Sequence, residues 1–161
     1  MKKIIYTLLI IIALTSNSFS AGTATDSSDG SSSYTKAKNL IKAAKKYEKK
    51  GKTEKAKKKY AKAQQFLLKS NKKKPLQADT LNYLGFTTRK LGDYKKGEEF
   101  YLQGLQIEPN HNGINEYLGE LYIVTNRMDL AKERLNVLKS CGCKEYKQLK
   151  EIIDGTKKSK Y

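Results

Sequence analysis

Histidine is almost missing from this chain: His111 is the only one. Cysteine occurs twice, at Cys141 and Cys143, far along the chain from that histidine. A zinc site draws about four ligands from cysteine, histidine or carboxylate, so none is expected. The same scarcity argues against a Ser–His or Cys–His catalytic pair, and His111 reads as an exposed helix-start residue. Adjacent carboxylates such as Glu98 and Glu99 point in different directions on a helix and read as solvated surface. No glycine-rich loop follows a strand, which removes the usual phosphate cradle. No segment of adequate length alternates with period two, so no strand is expected. Arginine is rare as well, only Arg89, Arg127 and Arg134. Lysine lacks the planar fork that reads phosphates and bases in pairs, which argues against sequence-specific nucleic-acid binding. Catalytic residues, cofactors and metals are all unexpected.

Long apolar runs are confined to the first residues. Lys2 and Lys3 precede an apolar stretch over 4–14 that is broken only by Thr7. Ser18-Phe19-Ser20 then offers small residues at a cleavage position, and 1–20 reads as a secretory signal peptide. The run is about half the length of a membrane span, and no later segment could cross a bilayer. No cysteine follows it, so the pattern of a lipid-modified protein is missing. The expected location is secreted or periplasmic. The next stretch, 21–34, is rich in serine and glycine. It holds too little apolar surface to order itself and is expected to be a flexible leader.

Negative charge is scarce where positive charge is dense. Between Thr35 and Lys74 stand 17 lysines and two acids, Glu48 and Glu54, whereas 75–161 is nearly balanced. The whole chain carries a formal charge of +17. Most lysines read as solvated helix surface. Some could meet an anionic surface by salt-sensitive attraction.

What is present is helical periodicity. In 81–109, Leu81, Leu84, Thr88 and Leu91 share one helical face. Gly92 breaks the pattern, Asp93 can cap a second helix, and Pro109 stops it. Leu84-Gly85, Gly92, Tyr94, Tyr101 and Pro109 at these spacings resemble the tetratricopeptide repeat (TPR), a helical hairpin with a period of about 34 residues. Gly97 and Gly104 stand where that family usually has alanine, which keeps the two helices close. An earlier copy carries Leu40, Ala43-Ala44, Tyr47, Gly51, Ala56, Tyr60 and Ala63. Its second helix is expected to be overlong, from about Thr53 into 72–74, with a break and a loop as the alternative. A later copy carries Leu118-Gly119, Tyr122, Ala131, Leu135 and Leu138. There Asn126 replaces the turn glycine, because asparagine tolerates the left-handed conformation. A final amphipathic stretch with Tyr146, Leu149, Ile152 and Ile153 reads as the cap such arrays need.

The resemblance implies an all-α fold, three TPR hairpins plus a C-terminal capping helix in a right-handed α-solenoid. The domain is expected over 35–154, with repeats at about 37–74, 78–111 and 112–143, the cap at 144–154 and a tail at 155–161. It also implies a concave groove, lined by the first helix of each repeat, that holds a protein or peptide partner. By register the groove candidates are Lys38, Ile41 and Lys45, then Asp79, Asn82, Phe86 and Arg89, then Glu116, Glu120 and Ile123. Some members clamp a terminal carboxylate with lysine, asparagine and arginine. Glu116 and Glu120 depart from that set, and the groove should run from basic to acidic. The leading expectation is a non-catalytic protein-interaction module. An electrostatic tether to an anionic envelope surface through the first repeat is the alternative. Cys141 and Cys143 read as a possible disulfide that staples a helix end, and more distantly as a thiol–disulfide redox pair.

Overall fold

The computed structural model describes residues 29–159. The expected signal peptide and most of the expected leader lie outside the described residues. Among the described residues seven helices follow in order: α1 (Asp29–Lys49), α2 (Thr53–Lys73), α3 (Ala78–Lys90), α4 (Tyr94–Ile107), α5 (Asn112–Val124), α6 (Met128–Leu138) and α7 (Lys144–Ile153). No strand occurs among the described residues. None of the described helices is long and apolar enough to cross a membrane. Consecutive helices pair as hairpins, α1 with α2, α3 with α4 and α5 with α6. The hairpins stack through α2 on α3 and α4 on α5, and α7 closes on α5 and α6. The architecture is an all-α solenoid of three hairpins and a cap.

The three hairpin turns repeat one local solution. Gly51, Gly92 and Asn126 all adopt a left-handed backbone, with φ of 68°, 102° and 59°. The next residue then donates its N–H back across the turn: Lys52 to Tyr47, Asp93 to Thr88 and Arg127 to Tyr122. These bonds satisfy carbonyls that the end of each first helix would leave open. Asp93 caps α4 by accepting from the Lys96 N–H at 2.9 Å. His111 is half-buried rather than exposed: its Nδ1 accepts from the Ile114 N–H at 3.1 Å and caps α5.

The first hairpin is the long one. α1 and α2 each run 21 residues, against 13 and 14 in the second hairpin. The expected flexible leader therefore ends earlier than 34, because helix α1 starts at Asp29. The extra turns of α2 bury Leu67 and Ser70 and need a neighbour. α1 supplies one with buried Ser33 and Ala37, and Tyr34 packs at 5.9 Å on the ring of Tyr83. Serine and alanine let the helices approach where a leader of the same composition, standing alone, could not order itself.

Close approach also explains the glycines of the second repeat. A Cβ on Gly85 would sit 2.5 Å from the Tyr101 ring, and one on Gly97 would sit 3.1 Å from the Gly85 carbonyl. A Cβ on Gly104 would run into the Ile114 side chain of α5. The α3–α4–α5 contact thus depends on missing side chains, which offset roughly 1 kcal/mol of lost helix propensity at each interior glycine.

Tyr101 sits fully buried in that contact, and its hydroxyl has no hydrogen-bond partner. Burial pushes its phenol well above the usual range, with Arg89 opposing and Glu120 and Glu116 adding to the rise. Burial likewise raises Tyr34, Tyr60 and Tyr117. A phenol that ionises less readily when folded contributes its stability below the unfolded value of about 10 and loses it as pH climbs further. The thermal midpoint should therefore fall steadily above about pH 10. Tyr101→Phe should be at least as stable as the parent at neutral pH, since it removes an unmatched buried hydroxyl. It should also lose less on alkalinisation. Differential scanning calorimetry at neutral and alkaline pH checks both points, and a variant that melts lower at neutral pH would contradict them.

Candidate functional site

The inner face of the array opens into a cleft of about 740 Å³. One stripe of α1 supplies Lys42, Lys45, Lys46 and Lys49, and α3 adds Lys90. The spacing 42, 45, 46, 49 puts all four on one side of a helix. Phe86 from α3 and Tyr117 from α5 form the floor, with ring centroids 5.1 Å apart. Lys45 Nζ lies 4.5 Å above the Phe86 ring and donates to the Tyr117 hydroxyl at 3.4 Å. This half-buried ammonium is held by aromatic faces.

Among the described residues Glu48 is the only acid lining the cleft, and it is engaged. Lys90 Nζ approaches Glu48 Oε1 at 2.7 Å, and the Tyr60 hydroxyl donates to Oε2 at 2.8 Å. Burial and the Glu48 bond both favour the protonated phenol at Tyr60. The remaining lysines thus present an anion-attracting wall over an apolar floor. Among the described residues no group of histidine, cysteine or carboxylate could hold a metal ion.

The structure separates the groove candidates into four sets. Lys45 and Phe86 line the cleft, Phe86 with only 1% of its surface exposed beneath Lys45. Lys38 and Asp79 are exposed but outside its lining: Lys38 Nζ lies 5.4 Å over the Tyr34 ring, and Asp79 pairs with His111 at 3.3 Å. Asn82, Arg89, Glu116 and Glu120 are buried, as is Ile41. Arg89 donates to the Tyr117 carbonyl at 2.7 Å, and its guanidinium lies 3.5 Å from Glu120. The acidic end expected for the groove is therefore absent from its open surface. Glu116 and Glu120 face inward, where the second and third repeats close on Arg89. Ile123 is half-buried among the apolar side chains of α5 and α6. Cys141 and Cys143 are joined in a disulfide at the α6–α7 turn, where Gly142 has a φ of 58°.

No protein-family model matches this chain. A solved structure of the second TPR domain of human RPAP3, in complex with the HSP70 peptide SGPTIEEVD, superposes with a TM-score of 0.51. It is 16% identical and covers 78% of this chain and 98% of that one. The described residues thus hold a tetratricopeptide-repeat fold. The first TPR of Spaghetti (RPAP3), bound to the HSP90 peptide SRMEEVD, is also similar, at 17% identity and a TM-score of 0.49 over 76% of this chain and 94% of that chain. In sequence, 50 residues are 44% identical to the Sol locus transcriptional repressor of Clostridium acetobutylicum. That stretch is 31% of this chain and only 16% of the repressor.

Within the TPR fold the cleft occupies the face formed by the first helices of the three hairpins. Register reasoning named Lys45 and Phe86 of the cleft lining but not Lys42, Lys46, Lys49, Lys90 or Tyr117. The helical lysine stripe was visible as a pattern. Its direction was not, because lysines cover so much of the first hairpin that none stands out.

Proposed function

We propose that this chain is an exported, non-catalytic protein-interaction module that captures an acidic segment of a partner in the lysine-lined TPR cleft. The observation that carries the reading is the wall of four lysines, Lys42, Lys45, Lys46 and Lys49, over the Phe86–Tyr117 floor, with Glu48 already bonded by Lys90 and Tyr60. A partner with charges of both signs, which a basic-to-acidic groove would suit, is not favoured, because Glu116 and Glu120 are buried. The RPAP3 domain of similar fold was solved with a peptide carrying adjacent glutamates, which is compatible with this reading without carrying it.

The test is fluorescence anisotropy with labelled peptides of equal length, one rich in glutamate and aspartate with a single aromatic, the other its lysine counterpart. The acidic peptide should bind at least about tenfold tighter at low salt, and the difference should shrink near 0.5 M salt as screening shortens to a few ångströms. Equal affinity for the two peptides would reject the reading. Export rests on Lys2, Lys3 and the apolar run 4–14, and N-terminal sequencing of protein recovered outside the cytoplasm should begin near Ala21. A start at Met1 would reject that part alone.

A further inference from the structure

We propose that the loop between α2 and α3 docks this chain on an anionic phospholipid surface, with Leu76 entering the interface and the lysines before it meeting the headgroups. Leu76 is 69% exposed, the highest value among the exposed large apolar side chains. Its backbone is left-handed, with φ of 58°, and the only other non-glycine residue in that region is Asn126 among the described residues. Asparagine tolerates that conformation; for leucine it costs about 1 kcal/mol. A strained, water-facing leucine gains nothing from the folded chain itself. Strain of this kind is retained where the surroundings hold it, and here both flanks are fixed. The Lys74 N–H bonds the Ser70 carbonyl at 2.8 Å, and the Leu81 N–H bonds that of Gln77 at 3.0 Å.

The electrostatic surroundings select the partner. Lys69, Lys72, Lys73 and Lys74 are exposed immediately before the loop, and no acidic residue occurs between Glu54 and Asp79. Pro75 and Gln77 are exposed as well. Point-like ammonium groups on flexible stems, with no arginine fork among them, suit a fluid array of anionic headgroups. Leu76 beside these cations combines apolar area for burial with electrostatic attraction to anionic lipid. The loop also sits at the far end of α3 from the cleft. Phe86 and Lys90 lie in the last turns of that helix, and the loop precedes its first residue, so about 15 Å separates them along the axis. A membrane-docked molecule would keep its cleft open.

The experiment is co-sedimentation with vesicles of phosphatidylglycerol and phosphatidylcholine, using the chain from residue 21 on. That chain keeps every described residue, and it avoids binding through the apolar run 4–14. The parent should bind the mixed vesicles and not phosphatidylcholine alone. Leu76→Asn, which suits the left-handed backbone, should weaken binding about tenfold while leaving the melting temperature unchanged or higher. Replacing Lys72, Lys73 and Lys74 with alanine should weaken it about a hundredfold. Equal binding to neutral vesicles would overturn the proposal. So would a Leu76→Asn variant that binds as the parent does while a soluble polyanion competes the protein off, which would assign the lysines to an anionic polymer instead. The acidic-peptide affinity of Leu76→Asn should match the parent's, so this inference and the cleft reading fail separately.

Discussion

Arg89→Met should remove about 3–5 kcal/mol of folding stability, the usual consequence of taking one partner from a buried ion pair. Arg89 is one of the largest fully buried side chains, and Glu120 beside it is 1% exposed. Its guanidinium ties α3 to α5 twice, through the Tyr117 carbonyl at 2.7 Å and the Glu120 carboxylate at 3.5 Å. Methionine matches the length of the arginine stem but leaves the carboxylate without its cation in a poorly hydrated site. A domain of this size has only about 5–15 kcal/mol to lose, so urea denaturation followed by circular dichroism should show an early midpoint. The double variant Arg89→Met with Glu120→Gln should recover part of the loss, because the buried charge is gone. A single-variant loss below about 1 kcal/mol would show that the pair is not an internal tie.

That expectation differs from what register alone suggested for Arg89, and the reason is instructive. Hairpin positions were legible because they depend on local patterns: Leu84-Gly85 and Leu118-Gly119, the left-handed turn at Asn126, the cap at Asp93 and the overlong α2. Each is decided within one helical turn or one hairpin. The groove was harder, because exposure at Asn82, Arg89, Glu116 and Glu120 depends on how closely neighbouring hairpins approach. Gly104, at its contact with Ile114 of the next hairpin, permits such an approach, and these side chains lie inside. The start of α1 was missed for a related reason. Serines 31–33 carry no helical signal, and they are helical here within a segment whose far side faces the extended α2.

Reversing two cleft charges, Lys46→Glu with Lys49→Glu, should weaken acidic-peptide binding about a hundredfold. Both side chains are exposed on α1 and line the cleft without entering the core. Their replacement should leave the melting temperature within a few degrees, since exposed substitutions seldom move stability by more than about 0.5 kcal/mol. Each reversal both removes an attraction and adds a repulsion, so the pair acts on four charge interactions with the peptide. The matched control is Lys58→Glu with Lys62→Glu, on exposed positions of α2 outside the cleft lining with the same change in net charge. If long-range attraction alone governs binding, the two double variants should weaken it equally, and the cleft would lose its claim to be the site. If the cleft holds the peptide, the α1 pair should outweigh the α2 pair by about tenfold or more, because only the first acts at contact distance.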